Sequence, residues 1–126
     1  MEPIDGMPVN LGELIDLLKV RPKDHYIRFD FGNLVPTKCD SYRGYYDDLA
    51  IGFDETNYPN PTVDVVLKDL KAAVNKEFTG YKGGEYRMTR KSRVWVANYG
   101  HTSDTVITGI EGCDYMVVLK TAWITC

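Results

Sequence analysis

Seven residues near the start of the chain alternate strictly in polarity: His25-Tyr26-Ile27-Arg28-Phe29-Asp30-Phe31. In a β-strand, Ile27 and the two phenylalanines would point to one face, and Tyr26, Arg28 and Asp30 to the other. The pattern therefore predicts a strand with an apolar core face and a polar outer face. The Gly-Asn pair that follows, together with Pro36, predicts where this strand ends.

Four further segments have the β-branched and aromatic composition of strands. They run from about Tyr45 to Phe53, with Leu49, Ile51 and Phe53 inward, and over Arg93–Tyr99, Thr105–Ile110 and Tyr115–Ile124. A turn is expected over Glu111–Asp114. The last strand ends the sequence, where an apolar strand risks edge-to-edge association. We therefore expect it either in the middle of the sheet or covered by a second subunit.

Two segments have the periodicity of amphipathic helices. The first begins at Asn10 with Glu13 in the capping-box position, precedes Pro22, and has the apolar stripe Leu11, Leu14, Ile15 and Leu18. The second begins from Asn60 with Pro61 in its first position, or slightly later from Thr62. Its stripe is Val63, Val66, Leu67, Leu70 and Val74. Gly80 lies just past its expected end, and a glycine-containing loop is expected over Tyr81–Tyr86.

The predicted order of elements is α-β-β-α-β-β-β. Runs of strands, without regular alternation with helices, favour an antiparallel sheet over a parallel one. A chain of 126 residues has the commonest length for one hydrophobic core. The sequence therefore predicts one ligand-binding domain over residues 1–126. Its class is α+β, with a mostly antiparallel β-sheet and both α-helices packed on one face.

The composition argues against several classes of protein. Hydrophobic residues make up 44% and charged residues 26%, as in ordinary globular proteins. No apolar run approaches the roughly 20 residues of a membrane-spanning helix, and the acidic N-terminus lacks the features of a signal peptide. Three cysteines without a CxxC pair argue against a disulfide framework or a zinc site. We therefore expect a cytoplasmic protein with no membrane partner.

Charge is unevenly distributed along the chain. The net charge of −3 argues against binding to long nucleic acid. Residues 40–69 carry seven acids and two bases, whereas residues 81–100 carry five bases and one acid. Three interpretations stay open: complementary solvated surfaces, a basic wall for an anionic ligand, or head-to-tail contact between subunits.

The sequence lacks the familiar catalytic motifs. His101 lies close to Ser103 and Asp104, but no nucleophile elbow is present and adjacency in sequence is not triad geometry. No metal-binding or phosphate-loop motif occurs. The prediction is a protein that is not an enzyme, with no catalytic residues, no metal and no cofactor.

Residues 37–46 have instead the composition of a recognition loop that leads into a strand. Tyrosines offer flat rings with a polar tip, and Arg43 offers a planar fork that suits phosphate or a purine edge. Together they suit a nucleotide-like ligand. Alternatively, the tyrosines are ordinary strand residues and Arg43 pairs with Asp40 or Asp47. A second candidate is residues 98–101, a polar and aromatic segment after a predicted strand.

Three stretches carry a resemblance to a known family: Arg28–Thr37, Ser41–Tyr46 and Trp95–Gly100. They resemble the first family of phage Thoeris anti-defence proteins, over most of the chain from Arg28 to Gly100. Members of that family sequester the cyclic ADP-ribose isomer that signals in bacterial Thoeris defence. They hold it between subunits without cleaving it, and some also bind cyclic oligonucleotides at a separate site.

The resemblance implies a homo-oligomer, a dimer or hexamer, in the cytoplasm of the bacterial host cell. Its expected partners are a cyclic ADP-ribose isomer and, as further candidates, cyclic di- or trinucleotides. Arg28, Arg43, Asn98 and Tyr99 would then be pocket residues. With their neighbours they complete the predicted ligand-binding set: Arg28, Thr37, Ser41, Tyr42, Arg43, Asn98, Tyr99 and His101.

Two other functions stay open. The first is a protein-binding inhibitor or adaptor that uses the aromatic and charged surface against a host protein. The second is a small enzyme acting on a nucleotide, with His101 and Asp104 as acid–base groups. Sequestration predicts that bound ligand is recovered intact, whereas the enzyme predicts turnover that disappears in His101→Ala.

Overall fold

The computed structural model describes residues 9–30, 34–42, 45–55, 61–79, 85–96, 105–113 and 115–123. The helices are α1 (Leu11–Lys19) and α2 (Val63–Ala73). The strands are β1 (Tyr26–Phe29), β2 (Leu34–Tyr42), β3 (Tyr45–Glu55), β4 (Glu77–Thr79), β5 (Glu85–Arg87), β6 (Val94–Val96), β7 (Thr105–Cys113) and β8 (Met116–Trp123). Six strands form one sheet in the order β1-β8-β7-β6-β3-β2, and β4 pairs with β5 separately. Within the described residues, no helix is long and apolar enough to cross a bilayer.

The predicted α+β class is confirmed. Three pairs of the main sheet are antiparallel (β2–β3, β6–β7 and β7–β8), and β1–β8 and β3–β6 are parallel. The apolar stripes of both helices enter one core with the inward residues of the sheet. Both helices therefore pack on one face of the sheet, as predicted.

Helix α1 forms as its sequence predicts. The Asn10 side chain accepts a hydrogen bond from the Glu13 N–H at 2.8 Å, and the Asn10 N–H donates to Glu13 Oε1 at 3.0 Å. This reciprocal capping box satisfies two backbone donors at the start of the helix. The predicted stripe, Leu11, Leu14, Ile15 and Leu18, is entirely buried.

Helix α2 is shorter than the longest helix that the sequence predicts, which would begin at Asn60 and end just before Gly80. Thr62 is its N-cap, so the later of the two predicted starts is correct. Pro61 lies before the helix, because its carbonyl accepts the Ile27 N–H at 3.0 Å and ties this segment to β1. The helix ends at Ala73, well before Gly80. Asn75 follows with φ 65°, a left-handed conformation that asparagine tolerates and that turns the chain towards β4.

Strands extend into three segments that were predicted as turns or loops. These three predictions are therefore partly wrong. Residues 34–42 form β2 with Pro36 inside it. β2 is an edge strand of the sheet, where the missing proline N–H costs no ladder bond. Strand β7 runs through residues 111–113, and the reversal comes later, where Tyr115 has φ 58°. Tyr86 lies in β5 and not in a loop.

The position of β8 decides between the two expectations for the last strand. β8 lies between β1 and β7; its edge towards β7 is paired over Met116–Trp123, and its edge towards β1 over Met116–Leu119. Over Met116–Leu119, pairing on both edges removes the exposed template that an apolar terminal strand would otherwise present. The expectation of an interior strand is therefore correct.

The main sheet curls around its core. The rings of Phe29 on β1 and Phe53 on β3 make an edge-to-face contact, with centroids 6.3 Å apart. In the sheet order β1 and β3 are four positions apart, so a flat sheet would hold these rings far from each other. The curl also brings the two edge strands β1 and β2 close to each other.

The sheet has two ends, which we call upper and lower. Strands β1, β3, β6 and β8 run in one direction, and β2 and β7 run in the other. At the upper end β1 finishes at Phe29, β6 finishes at Val96 and β2 begins at Leu34. At the lower end β2 finishes at Tyr42 and β7 finishes at Cys113.

Candidate functional site

The predicted ligand-binding residues fall into three groups. Arg28 on β1 and Thr37 on β2 are described with their side chains. For Ser41 and Tyr42 the structure describes the backbone, which forms the lower end of β2. The remaining four lie outside the described residues: Arg43, Asn98, Tyr99 and His101.

Arg28 lies on the outer face of the sheet, in the edge strand β1. Its neighbours Ile27 and Phe29 are fully buried in the core, so strand alternation places Arg28 on the opposite face. The side chain is half-buried beside β8, where its partner in register is Val118. Its Nε is buried and has no hydrogen-bond acceptor among the described residues. A buried donor without an acceptor costs free energy, so this guanidinium is suited to an anionic ligand.

The carboxylate nearest to Arg28 in sequence is already used by β8. Asp30 accepts hydrogen bonds from the Thr121 N–H at 2.9 Å and from the Thr121 hydroxyl at 2.6 Å. Glu111 lies on the same face as Arg28, but two strands away through Val118, and it is exposed. Neither carboxylate makes an ion pair with Arg28 in the described part of the chain.

Thr37 lies where the ladder between β2 and β3 is irregular. Pro36 pairs with Phe53 and Cys39 with Ile51, so the register shifts across Thr37. Such a bulge redirects side chains and strengthens the local twist. Thr37 is half-buried at this point.

The upper end also holds the start of the second predicted segment. Val96, the last residue of β6, is in register with Ile51 of β3, which is in register with Cys39 of β2. Val96 is thus level with Cys39, two strands away and two residues along β2 from Thr37. Residues 97–101 follow Val96 in the sequence and lie outside the described residues.

The rest of the predicted set lies at the other end. Thr37 and Tyr42 are five residues apart on β2, which corresponds to about 15 Å along a strand. Arg43 comes directly after Tyr42. The members of the predicted set on β2 are therefore split along the sheet, with Thr37 towards the upper end and Ser41 and Tyr42 at the lower end. The sequence pattern did not predict this split, because residues 37–46 were interpreted as a loop.

The sequence analysis did not predict a contact made by β6, the strand that precedes residues 97–101 in the sequence. The Trp95 indole N–H donates to Asp48 Oδ2 at 2.9 Å, and the Arg93 N–H donates to Asp48 Oδ1 at 3.4 Å. Trp95 is buried on the outer face with Ala50 and Val106, in a small cluster separate from the main core. Asp48 was only one member of an acidic run in the sequence, and no local pattern connects it to a tryptophan 47 residues away. This contact anchors β6, the strand that residues 97–101 follow in the sequence.

Part of the basic run is paired with acids from other elements. Arg87 makes an ion pair with Glu77 at 2.6 Å, and Arg90 makes one with Asp16 at 2.8 Å. All four side chains are about half exposed or more, so each pair contributes little to stability. These two arginines are solvated, as the interpretation of complementary solvated surfaces expects, but their partners lie outside the acidic segment 40–69. The basic-wall interpretation is not supported for them.

The described residues contain no group of three or more His, Cys, Asp or Glu side chains that could hold a metal ion. Cys39 forms no disulfide within the described residues, and it packs against the hydrophobic core.

Comparisons with protein-family models, with curated proteins and with solved structures found no match to this chain.

Proposed function

We propose that this protein binds and sequesters a cyclic ADP-ribose isomer without cleaving it, and so prevents the activation of a bacterial defence effector. The proposal places it in the cytoplasm of the host cell as a phage-type anti-defence protein. Cyclic oligonucleotides are further candidate ligands. The three stretches that resemble the phage Thoeris anti-defence family support this proposal.

The observation that carries the proposal is the state of Arg28. This residue begins the first of the three stretches, and it is half-buried with an Nε that lacks an acceptor in the described structure. A diphosphate is a suitable acceptor, because a guanidinium fork can donate two parallel hydrogen bonds to phosphate oxygens. The curled sheet adds a bulged edge strand nearby at Thr37. These features favour an anionic small molecule over an uncharged one.

The split of the predicted residues favours a pocket built by two subunits. In one chain, Thr37 lies towards the upper end of β2 and Tyr42 at its lower end. A ligand the size of cyclic ADP-ribose would contact both groups most simply if the upper end of one subunit faced the lower end of another. We therefore propose a homo-oligomer in which each pocket takes Arg28 from one subunit and the β2–β3 hairpin from its neighbour.

Ligand recovery is the direct test of this proposal. The purified protein is incubated with a panel of cyclic ADP-ribose isomers and cyclic di- and trinucleotides, washed free of unbound ligand and heat-denatured. Mass spectrometry then identifies what is released. Recovery of an intact isomer in stoichiometric amount is the expected result. Chemically altered ligand would show an enzyme. Retention of nothing from the panel would refute sequestration and favour the protein-binding inhibitor.

Arg28→Ala tests whether this arginine belongs to the pocket. We expect the substitution to weaken ligand binding about tenfold or more, since a hydrogen bond to a charged group contributes about 1.5–3 kcal/mol. Arg87→Ala is the matched control, because Arg87 is an exposed arginine already paired with Glu77. Titration calorimetry measures both affinities, and thermal unfolding checks the fold. Equal affinities for the two variants would remove Arg28 from the site.

A further inference from the structure

Arg21 is a second half-buried arginine whose donors are not used within the protein. It follows α1, and its N–H closes the end of that helix by donating to the Leu18 carbonyl at 3.0 Å. The Arg21 Nε is buried and has no acceptor among the described residues. No carboxylate of the described structure makes an ion pair with it, although the acids Asp24 and Glu111 are exposed on neighbouring segments.

The position of the guanidinium depends on Gly112. A Cβ atom added to Gly112 would lie 2.5 Å from Arg21 Nη1 and 3.2 Å from Arg21 Cζ. The guanidinium thus occupies the space over β7 that a side chain at position 112 would fill. Gly112 is itself exposed, so this space is open to solvent. The glycine therefore keeps the arginine fork close to the backbone and accessible to a small ligand.

A second cation lies beside this arginine. The Lys23 ammonium donates to the carbonyl oxygens of Lys19, at 2.8 Å, and of Arg21, at 3.3 Å. A lysine ammonium has three donors, so these two bonds leave one for a ligand. They also satisfy carbonyls at the C-terminal end of α1, where the helix dipole is negative. Lys23 thus adds a second positive charge to the segment that carries Arg21, which favours an acceptor with two negative charges.

We propose that Arg21, Lys23 and Gly112 form a phosphate-binding site at the lower end of the sheet. The Arg21 guanidinium donates to the phosphate oxygens, Lys23 supplies the second charge, and Gly112 leaves the space in which they meet. The site is distinct from the one proposed around Arg28. Gly112 is in register with the core residue Val117, so it belongs to the helix-covered face, whereas Arg28 lies on the outer face of the sheet. Either site can therefore be tested without the other.

Inorganic phosphate is the probe, followed by nuclear magnetic resonance at constant ionic strength. The buried Arg21 Nε–H and the Gly112 amide are the reporters, with chloride and acetate as comparison anions. We expect saturable shifts of both signals with phosphate and much weaker effects with acetate. Equal shifts with chloride would mean general screening and would overturn the proposal. Shifts as strong with acetate would overturn the assignment to phosphate.

Gly112 and Gly109, both in β7, allow a test in which the charge of the protein does not change. Gly112→Ala puts a methyl group where the guanidinium lies and displaces only the end of a flexible side chain, so we expect the fold to persist. Phosphate binding should weaken about tenfold or more, because a charge-assisted hydrogen bond is lost. Gly109→Ala is the control, since a Cβ there meets nothing within 4 Å. Arg21→Gln removes one reporter and should abolish the phosphate-induced shift of the other, the Gly112 amide. Unchanged binding in Gly112→Ala or in Arg21→Gln would overturn the proposal.

Discussion

Two aspartates each join a pair of parallel strands in this protein. Asp30 links the end of β1 to Thr121 of β8, and Asp48 links β3 to Trp95 of β6. Parallel neighbours cannot be joined by a tight hairpin, so their register depends on contacts between residues far apart in the chain. In each pair the aspartate carboxylate accepts two hydrogen bonds from its partner strand, or from the residue just before that strand. Single side chains thus hold the strand pairs that the local sequence does not specify.

Replacing Asp48 tests this role. Asp48→Ala leaves the buried Trp95 indole N–H without its acceptor, and we expect the free energy of unfolding to fall by about 1–3 kcal/mol. Urea denaturation followed by tryptophan fluorescence measures the change. Asp69→Ala is the control, because Asp69 is exposed on α2, and it should alter stability by no more than about 0.5 kcal/mol. Equal stability of the two variants would mean that the Asp48 contact does not stabilise the fold.

Helix α1 is held by its cap and by close contact with residues 90–92. The N–H groups of Leu11 and Gly12 donate to the carbonyls of Ser92 and Arg90, both at 2.8 Å. The first turn of the helix therefore lies directly against the segment before β6. This contact explains why a glycine occurs inside the first turn, where alanine would have the better helix propensity.

Gly12→Ala should destabilise the protein although alanine favours helices by about 1 kcal/mol. The added Cβ would lie 2.9 Å from Arg90 Cβ and 3.0 Å from the Arg90 carbonyl oxygen, and the backbone atom cannot rotate away. We expect a net loss of about 1–3 kcal/mol, as for other overpacked sites, measured by thermal unfolding. Gly109→Ala, which meets no neighbouring atom, provides the comparison. A gain in stability for Gly12→Ala would show that the contact with Arg90 relaxes freely.

The capping box gives a second prediction for this helix. Asn10→Ala removes the acceptor for the Glu13 N–H, and loss of such a cap costs about 0.5–2 kcal/mol. Chemical denaturation should show this decrease. Glu13→Gln keeps a side-chain oxygen for the Asn10 N–H and should have the smaller effect. If Asn10→Ala were as stable as the unmodified protein, the box would contribute nothing measurable.

The whole molecule separates the described members of the predicted site on β2, with Thr37 towards the upper end of the sheet and Ser41 and Tyr42 at the lower end. The separation follows from the length of this strand, since five residues span about 15 Å. The proposed intersubunit pocket, in which Arg28 and Arg43 come from different copies, can be distinguished from a pocket within one subunit by experiment.

Mixed oligomers test the intersubunit arrangement. Arg28→Ala and Arg43→Ala should each abolish ligand retention when present in every subunit. Co-refolding the two variants should restore a fraction of the pockets, because some pockets then combine an intact Arg28 with an intact Arg43. Ligand recovered per subunit by mass spectrometry is the measurement. Refolding each variant alone is the control. No recovery in the mixture would indicate that both arginines act from the same subunit.

The sequence by itself determined the local features of this protein. The capping box, the two apolar helical stripes and the core face of β1 follow from short-range periodicity, and the structure confirms them. The α+β class followed from the order of these elements. Such patterns are reliable because a helix or strand buries one face whatever it packs against.

Only the tertiary structure decided the features that depend on distant pairing. The edge position of β2 allows Pro36 inside a strand, and the pairing of β8 with β1 makes the last strand an interior one. The contact of Asp48 with Trp95 and the position of Arg21 over Gly112 join residues 47 and 91 positions apart. Local periodicity contains no information about which strands become neighbours. The split of the candidate site therefore became visible only when the strand directions were known.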